Sequence, residues 1–418
     1  MGTAIRPYRW RIAILLAAAT ALSYIDRQSF PVVAGEISKS IRISDAQYAQ
    51  LQFLFLLTYG VMYAGGGRLI DRLGTRRGLG LCMLLWSAAT AMHGLVTSVT
   101  GLGAARVLLG LGEGGGFPGA AKAVAEWFPK KERSLAFGIF NTGSSVGAVA
   151  APPLIAAIVL ASNWRWVFAA AGLAGILWLL LWWRTEDPPS PQDSAQPAKQ
   201  GSLAARVSWA GLFRRSDTWA LVSAKFLSDS AWYFFLFWLP KYLGDVRQLD
   251  IKGIGTFAWI PYAFMGAGSL FGGWLSSFLI RRGWSLDASR RISLGIAAAM
   301  LPASLFIMNA PLSLAIMFFS MAMFGHQFFS TILQTLTADM YAPAEVGSIA
   351  GLVGAAGSFG GMLFNLLVGA ILTSTRSYRL VFLIAGVLHP AAFFVLMLCV
   401  RRIERKEVSI AVQEEVSL

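Results

Sequence analysis

Three pairs of ionisable residues lie inside apolar stretches of this sequence. Asp26 and Arg27 adjoin within a run from about Ile12 to about Val33, Arg106 and Glu113 stand seven apart in a second run, and Lys225 and Asp229 stand four apart in a third. At the centre of a bilayer an Asp or Arg costs roughly 2.5–3.5 kcal/mol even on lenient insertion scales, so such groups mark candidate functional sites. Their types suggest two chemistries. A carboxylate held between burial, which favours its neutral form, and a nearby cation, which favours its charged form, can take up and release a proton. A guanidinium offers a planar fork that matches a carboxylate. Each pair also has a structural reading. Asp26 and Arg27 can form an ion pair inside packed protein, Arg106 and Glu113 a buried pair two turns apart on one helix face, and Lys225 and Asp229 a self-satisfied i, i+4 pair.

The elements that must position these residues follow from composition. The 418-residue chain is 56% hydrophobic and only 13% charged, where a soluble domain carries about 25% charged residues. This is the composition of an integral membrane protein. Apolar runs near the ~20-residue spanning length recur about twelve times, six before and six after a polar stretch containing Pro188-Pro189-Ser190-Pro191. The pattern predicts an all-α membrane protein of two six-helix bundles, residues 1–184 and 218–400, joined by a cytoplasmic linker, 185–217, and followed by a cytoplasmic tail, 401–418. The first run is long and lacks a small-residue cleavage site, so it reads as a retained span. Lys and Arg are nearly threefold more frequent in alternate loops, among them Arg68, Arg72, Lys130, Lys131, Lys199, Arg206, Arg281, Arg405 and Lys406. The positive-inside rule then puts both termini in the cytoplasm.

Other function classes are disfavoured. The net charge of +14 is scattered between apolar runs, not clustered as nucleic-acid binding requires. Cys82 and Cys399 lie in apolar runs and fit neither a disulfide framework nor a zinc pattern. His93, His326 and His389 fall in separate spans, and no Ser/His/Asp set clusters, so neither a metal nor an enzyme is expected. Gly110 to Gly115 matches a dinucleotide fingerprint but lacks the preceding strand.

The halves carry a faint repeat. Gly67-Arg68-Leu69-Ile70-Asp71-Arg72-Leu73-Gly74-Thr75-Arg76-Arg77 follows the second span, and Gly273 to Gly283, ending in Arg281-Arg282-Gly283, follows the eighth, with Ser277 where the first copy has Asp71. Repeated six-helix halves related by an axis along the membrane normal are a transporter architecture with its substrate site at the midplane.

The first of these segments fits, through Gly67, Asp71, Arg72, Gly74, Arg76 and Arg77, the loop signature of the major facilitator superfamily. A narrower resemblance, carried by Tyr24-Ile25-Asp26-Arg27, Gly112 to Gly119, Trp127-Phe128-Pro129, Lys225 to Asp229, Trp232 to Tyr242 and His326-Gln327, is to the anion:cation symporter branch, and within it to bacterial hexuronate permeases. The resemblance implies proton-coupled uptake of a sugar-acid carboxylate across the inner membrane by a monomer whose coupling ion is H+ and which needs no other cofactor. It implies that Asp26 and Glu113 handle protons, that Arg27 anchors the carboxylate, and that Arg106 helps hold Glu113 charged. Lys225 would be a second cation, and Asp229 would neutralise it or accept from sugar hydroxyls. Tyr59 and Ser358 fall where the branch contacts substrate.

Tyr24, Asn141, Gln327 and Thr331, in or near the middle of their spans, suit a polyol or else bond other helices, with Asn365 a weaker candidate. The loop residues would act in the conformational change. Rival readings are the same fold carrying an aromatic or vitamin monocarboxylate, and a non-transporting membrane sensor. Lys122 reads as an interfacial lysine, His326 as an interhelical hydrogen bond, and Gly143 to Gly147 and Gly354 to Gly361 as helix-contact faces. Trp232 to Trp238 reads as a lipid-facing belt from which Trp232 and Tyr233 can reach a cavity.

Overall fold

The computed structural model describes residues 5–129, 132–186, 209–341 and 343–404. Most of the linker, with Lys199 and Arg206, lies outside the described residues, as do Lys130, Lys131 and the tail from Arg405 onward. The described chain is helical. The first bundle contains α1 (Ile5–Val32), a short α2 (Ala34–Ser40), α3 (Asp45–Leu73), α4 (Thr75–His93), α5 (Val99–Gly114), α6 (Gly116–Trp127), α7 (Arg133–Ala161) and α8 (Trp164–Trp183). After α9 (Trp209–Phe213), the second contains α10 (Ser216–Asp245), α11 (Ile251–Phe257), α12 (Trp259–Arg281), α13 (Leu286–Met300), α14 (Leu312–Met340), α15 (Pro343–Thr375) and α16 (Arg379–Cys399). Taking α5 with α6, α11 with α12, and α13 with the 3-10 turn Leu301–Phe306 gives six rods in each bundle. Among the described residues seven spans are long and apolar enough to cross a membrane by length and composition alone.

Glycines set which rods touch. A Cβ built on Gly143 or Gly147 of α7 would lie 2.0 or 2.3 Å from the carbonyl oxygen of Ala17 or Ala21 on α1. In the second bundle, a Cβ on Gly360 of α15 would lie 2.2 Å from the Phe226 carbonyl oxygen of α10. Likewise Gly110 of α5 sits on α3 at Phe55, and Gly268 of α12 sits on α14 at Phe324. Corresponding rods thus pair alike in both bundles, and the internal repeat is structural. Such close backbone approach needs small residues when lipid supplies no hydrophobic drive.

Each loop copy is braced by an ion pair, with the charges placed on different helices. In the first, Lys122 of α6 lies 2.9 Å from Asp71 and donates to the Ile70 carbonyl, so it is a brace and not an interfacial lysine. Gly74, at φ +76°, lets α3 end and α4 begin at one residue. In the second, Arg290 of α13 pairs with Asp339 of α14 and donates to Ser276, which leaves Ser277 no ionic role to fill.

The bundles meet at the end away from the basic loops. There Lys241 of α10 lies 2.8 Å from Asp45 of α3, and the Tyr48 hydroxyl donates to the Phe237 carbonyl at 2.5 Å. Gly369 of α15 packs on Ala49, and Gly255 of α11 on Ala156. The aromatic run Trp232 to Trp238 is buried throughout, which corrects the lipid-belt expectation. Helix α10 packs against α1, α14, α15 and α16, and a helix apolar all round is one enclosed by others.

Candidate functional site

Below that seam the bundles part around a cavity of about 770 Å3, which reaches Thr337 and Ala338 near the basic-loop end of α14. Arg27 of α1 and Lys225 of α10 line it, and these are the corresponding rods of the two bundles. The repeat therefore brings one cation from each half to a shared space.

Each cation is met by an acid of its own half. Arg27, 7% exposed, donates through Nε to Glu113 Oε2 at 2.6 Å, and the Ser23 hydroxyl donates to the same oxygen at 3.1 Å. The guanidinium lies over the Tyr59 ring at 4.5 Å and the Tyr24 ring at 5.4 Å. Lys225 Nζ lies 3.0 Å from Asp229 Oδ1 and donates to Ser330 at 2.9 Å. A buried cation without a partner is strongly unfavourable, and each acid meets that need for the cation of its own half. An incoming carboxylate must compete with Glu113 for the Arg27 fork.

Among the residues singled out from sequence, Tyr24, Arg27, Tyr59, Glu113, Asn141, Lys225, Gln327 and Thr331 line the cavity. The Thr331 hydroxyl shares a hydrogen bond with Ser269 at 3.0 Å. Asp26, Arg106, Asp229 and Ser358 stand behind the wall. Asp26 Oδ2 accepts from the indole N–H of Trp86, and Trp86 forms the wall in front of it. Arg106 is fully buried with its guanidinium 4.1 Å from the Phe30 ring, and the ion-pair partner of Glu113 is Arg27. Asp229 packs beneath Gly357 and touches the cavity through Lys225. Ser358 donates to the Gly354 carbonyl and faces Gly60.

Asn365 accepts from Trp238 at 2.7 Å and serves packing. His326 does bond across helices, to His389 of α16 at 3.1 Å, and its ring stacks on Trp232 at 4.9 Å, which keeps that indole from the cavity. At the loop motif, the Arg76 carbonyl accepts from Trp182, while Arg72 and Arg77 are exposed. Among the described residues no group of three His, Cys, Asp or Glu is placed to hold a metal.

Sequence reasoning missed Ser144, Ser145, Gln334 and Thr335, which also line the cavity. A signal existed for the last two. Gln327, Thr331, Gln334 and Thr335 repeat at i, i+4, i+7, i+8, the stripe by which one helix face is recognised.

Residues 16–323 and 283–416 match the family model of the Major Facilitator Superfamily. The hexuronate transporter of Escherichia coli (strain K12) is 31% identical over 382 residues, covering 88% of each chain. The probable L-galactonate transporter of the same strain is 30% identical over 416 residues, 96% of this chain and 91% of that one. Two solved structures share the fold. One is a bacterial homologue of the human lysosomal transporter Spinster, with a TM-score of 0.77 at 21% identity, covering 95% of this chain and 97% of that one. The other is a D-xylose-proton symporter, with a TM-score of 0.75 at 14% identity, covering 93% and 97%.

Proposed function

This chain belongs to the Major Facilitator Superfamily, a multi-pass membrane transporter and not an enzyme, and on that premise we propose that it imports a sugar-acid monoanion, a hexuronate or hexonate, together with protons. The observation that carries this reading is the Arg27–Glu113 pair on the cavity wall, with Lys225 and Asp229 supplied by the other bundle. Arg27 takes the carboxylate once a proton neutralises Glu113. Lys225 supplies a second positive charge, and Tyr24, Tyr59, Asn141 and Gln327 exchange hydrogen bonds with the polyol. Asp26 carries the second proton, with Arg106 as the cation beside it. The named relatives, a hexuronate and a probable L-galactonate transporter, support this substrate class.

Protonation has a second consequence. The proton on Glu113 offsets the negative charge that the monoanion brings, so Arg27 exchanges one carboxylate partner for another and no unpaired charge is carried through the low-dielectric interior as the bundles rock. With the basic loops in the cytoplasm, the cavity opens inward, the arrangement that releases substrate into the cell. The two bundles move as units, and the loop residues around Asp71, held to Lys122 in this arrangement, act in that change.

Purified protein in liposomes with labelled galacturonate or glucuronate tests the proposal. An inward proton gradient should accelerate uptake, and a protonophore should abolish the gain. Uptake indifferent to the gradient overturns the symport, and absence of uptake for any sugar acid overturns the substrate class.

A further inference from the structure

The cavity has two unlike walls. In the first bundle Arg27, Tyr59, Tyr63 and Phe117 form a row. The guanidinium lies 4.5 Å from the Tyr59 ring, Tyr59 is 5.9 Å from Tyr63, and Tyr63 stacks on Phe117 at 5.7 Å with 25° between the rings. From the second bundle α14 presents Gln327, Thr331, Gln334 and Thr335 to the same space. From this division we propose that the site selects the closed pyranose ring of a hexuronate over an open-chain hexonate, with Tyr63 and Phe117 as the residues that make the choice. The proposal rests on the sugar-acid reading above and narrows it.

The two forms of substrate differ in shape, not in charge. A pyranose carries most of its hydroxyls on its rim and C–H bonds on its faces. One such face can lie on an aromatic ring, whose negative π surface attracts the positive C–H edges. The galacto ring has its axial hydroxyl on one face and leaves the other to C–H bonds. An open-chain hexonate has hydroxyls along both sides of a flexible backbone. On the same wall some of them would be desolvated against rings that give no strong partner, which is costly, and more torsions would have to be fixed on binding. The carboxylate of the ring form sits on the rim. With the ring on Tyr63 and Phe117, it runs along the row to Arg27. The rim hydroxyls then turn to the amides of Asn141 and Gln327, each of which both donates and accepts.

Phe117 owes its place to the break in the fourth rod, where α5 ends at Gly114 and α6 begins at Gly116. A Cβ on Gly114 would lie 2.6 Å from the Tyr59 carbonyl oxygen, so the end of α5 is pressed against α3 one turn before Tyr63. Phe117 follows Glu113 by four residues, and thus stands beside the acid that holds Arg27. Its ring is 40% exposed, whereas Phe140, 5.6 Å away in the same wall, is 4% exposed. An aromatic face left open in a concave site among convergent polar groups is a surface for a ligand.

Competition against labelled galacturonate uptake by the wild-type chain in liposomes tests the choice of form. At least one anomer of the methyl pyranoside of galacturonate, in which the ring is locked, should compete within about threefold of galacturonate itself. Galactonate, with the same carboxylate and no ring, should need a concentration at least about tenfold higher. Equal competition by galactonate, or failure of both locked anomers, overturns the proposal. So does benzoate competing as well as galacturonate, because the wall would then read any flat apolar ring.

The residue assignment has its own test. Phe117→Leu keeps an apolar side chain and removes the flat face, so galacturonate should weaken about three- to tenfold, the worth of one aromatic contact. Galactonate should change less than about twofold, and Phe117→Tyr, which keeps the face, should retain the wild-type preference. Parallel loss of both acids in Phe117→Leu, or unchanged galacturonate affinity, overturns the role of Phe117. If the wild type takes up no sugar acid at all, the substrate reading itself has failed, a result distinct from uptake in which galactonate and galacturonate compete alike.

Discussion

Lys241 of α10 lies 2.8 Å from Asp45 of the opposite bundle and pairs at the same time with Asp245 one turn along its own helix. The cation therefore keeps a partner when the bundles separate at this end, so opening strands no positive charge. Asp45 is 35% exposed in its side chain, and a pair this accessible is worth about 0.2–1 kcal/mol. Asp45→Asn should increase the population open at this end by up to about fivefold. Spin-label distances between α3 and α10 would show it. An unchanged distance distribution would mean that Tyr48, Phe237 and the glycine contacts hold the seam without the ion pair.

Two glycines on α7 provide a matched test of the helix-contact face. A Cβ at Gly143 would lie 2.0 Å from the Ala17 carbonyl oxygen, a backbone atom that cannot swing aside, whereas a Cβ at Gly138 meets nothing within 4 Å. Gly143→Ala should lower stability by about 1–3 kcal/mol through overpacking. Gly138→Ala should be neutral or raise stability by up to about 1 kcal/mol through helix propensity. Thermal unfolding of both variants in one detergent decides the matter, and equal behaviour would dismiss α1–α7 contact as the reason for the Gly143 position.

The legible part of this molecule is the part written in local periodicity. Spans and the glycine faces follow from run length and from small residues at helical spacing, and the closely packed Gly143 and Gly360 are read directly from such spacing. The cations at 27 and 225 were legible because charge in an apolar run is conspicuous. Partner choice was not. Arg106 and Glu113 share a helix face, yet Glu113 pairs with Arg27 across to α1, because distance between helices is invisible to spacing along one of them. The aromatic run of α10 misled for the same reason. Belt and core have the same composition, and only the packing of α1, α14, α15 and α16 around α10 distinguishes them. Trp86, an unremarkable apolar residue in sequence, became informative once its N–H was found on Asp26.

The anchor assignment predicts an ordered series. Arg27→Ala removes the fork and leaves Glu113 buried without its cation. Truncating one partner of a buried charge pair costs 2–5 kcal/mol or more, so galacturonate affinity should fall at least about thirtyfold, and ligand-induced stabilisation in a thermal-shift assay should vanish. Lys225→Met should weaken binding less, because Lys225 donates a point charge and not a fork. Stabilisation retained in Arg27→Ala would remove the anchor from this position.

Glu113 and the substrate compete for one guanidinium, and this fixes the sign of the pH dependence. Neutralising Glu113 releases Arg27, so substrate binding takes up a proton, and by linkage wild-type affinity should rise as pH falls through the neutral range. Glu113→Gln mimics the neutral acid. It should bind galacturonate as tightly at pH 8 as wild type does at pH 6, lose most of the pH dependence, and exchange substrate across the membrane without accumulating it. Asp26→Asn should differ, because Asp26 touches neither Arg27 nor the cavity directly. Its binding should keep the wild-type pH dependence while proton-driven accumulation disappears. Calorimetry across pH, run beside counterflow and gradient-driven uptake, separates the two acids. If Glu113→Gln retains the full pH dependence of binding, the competition for Arg27 is not what couples proton to substrate.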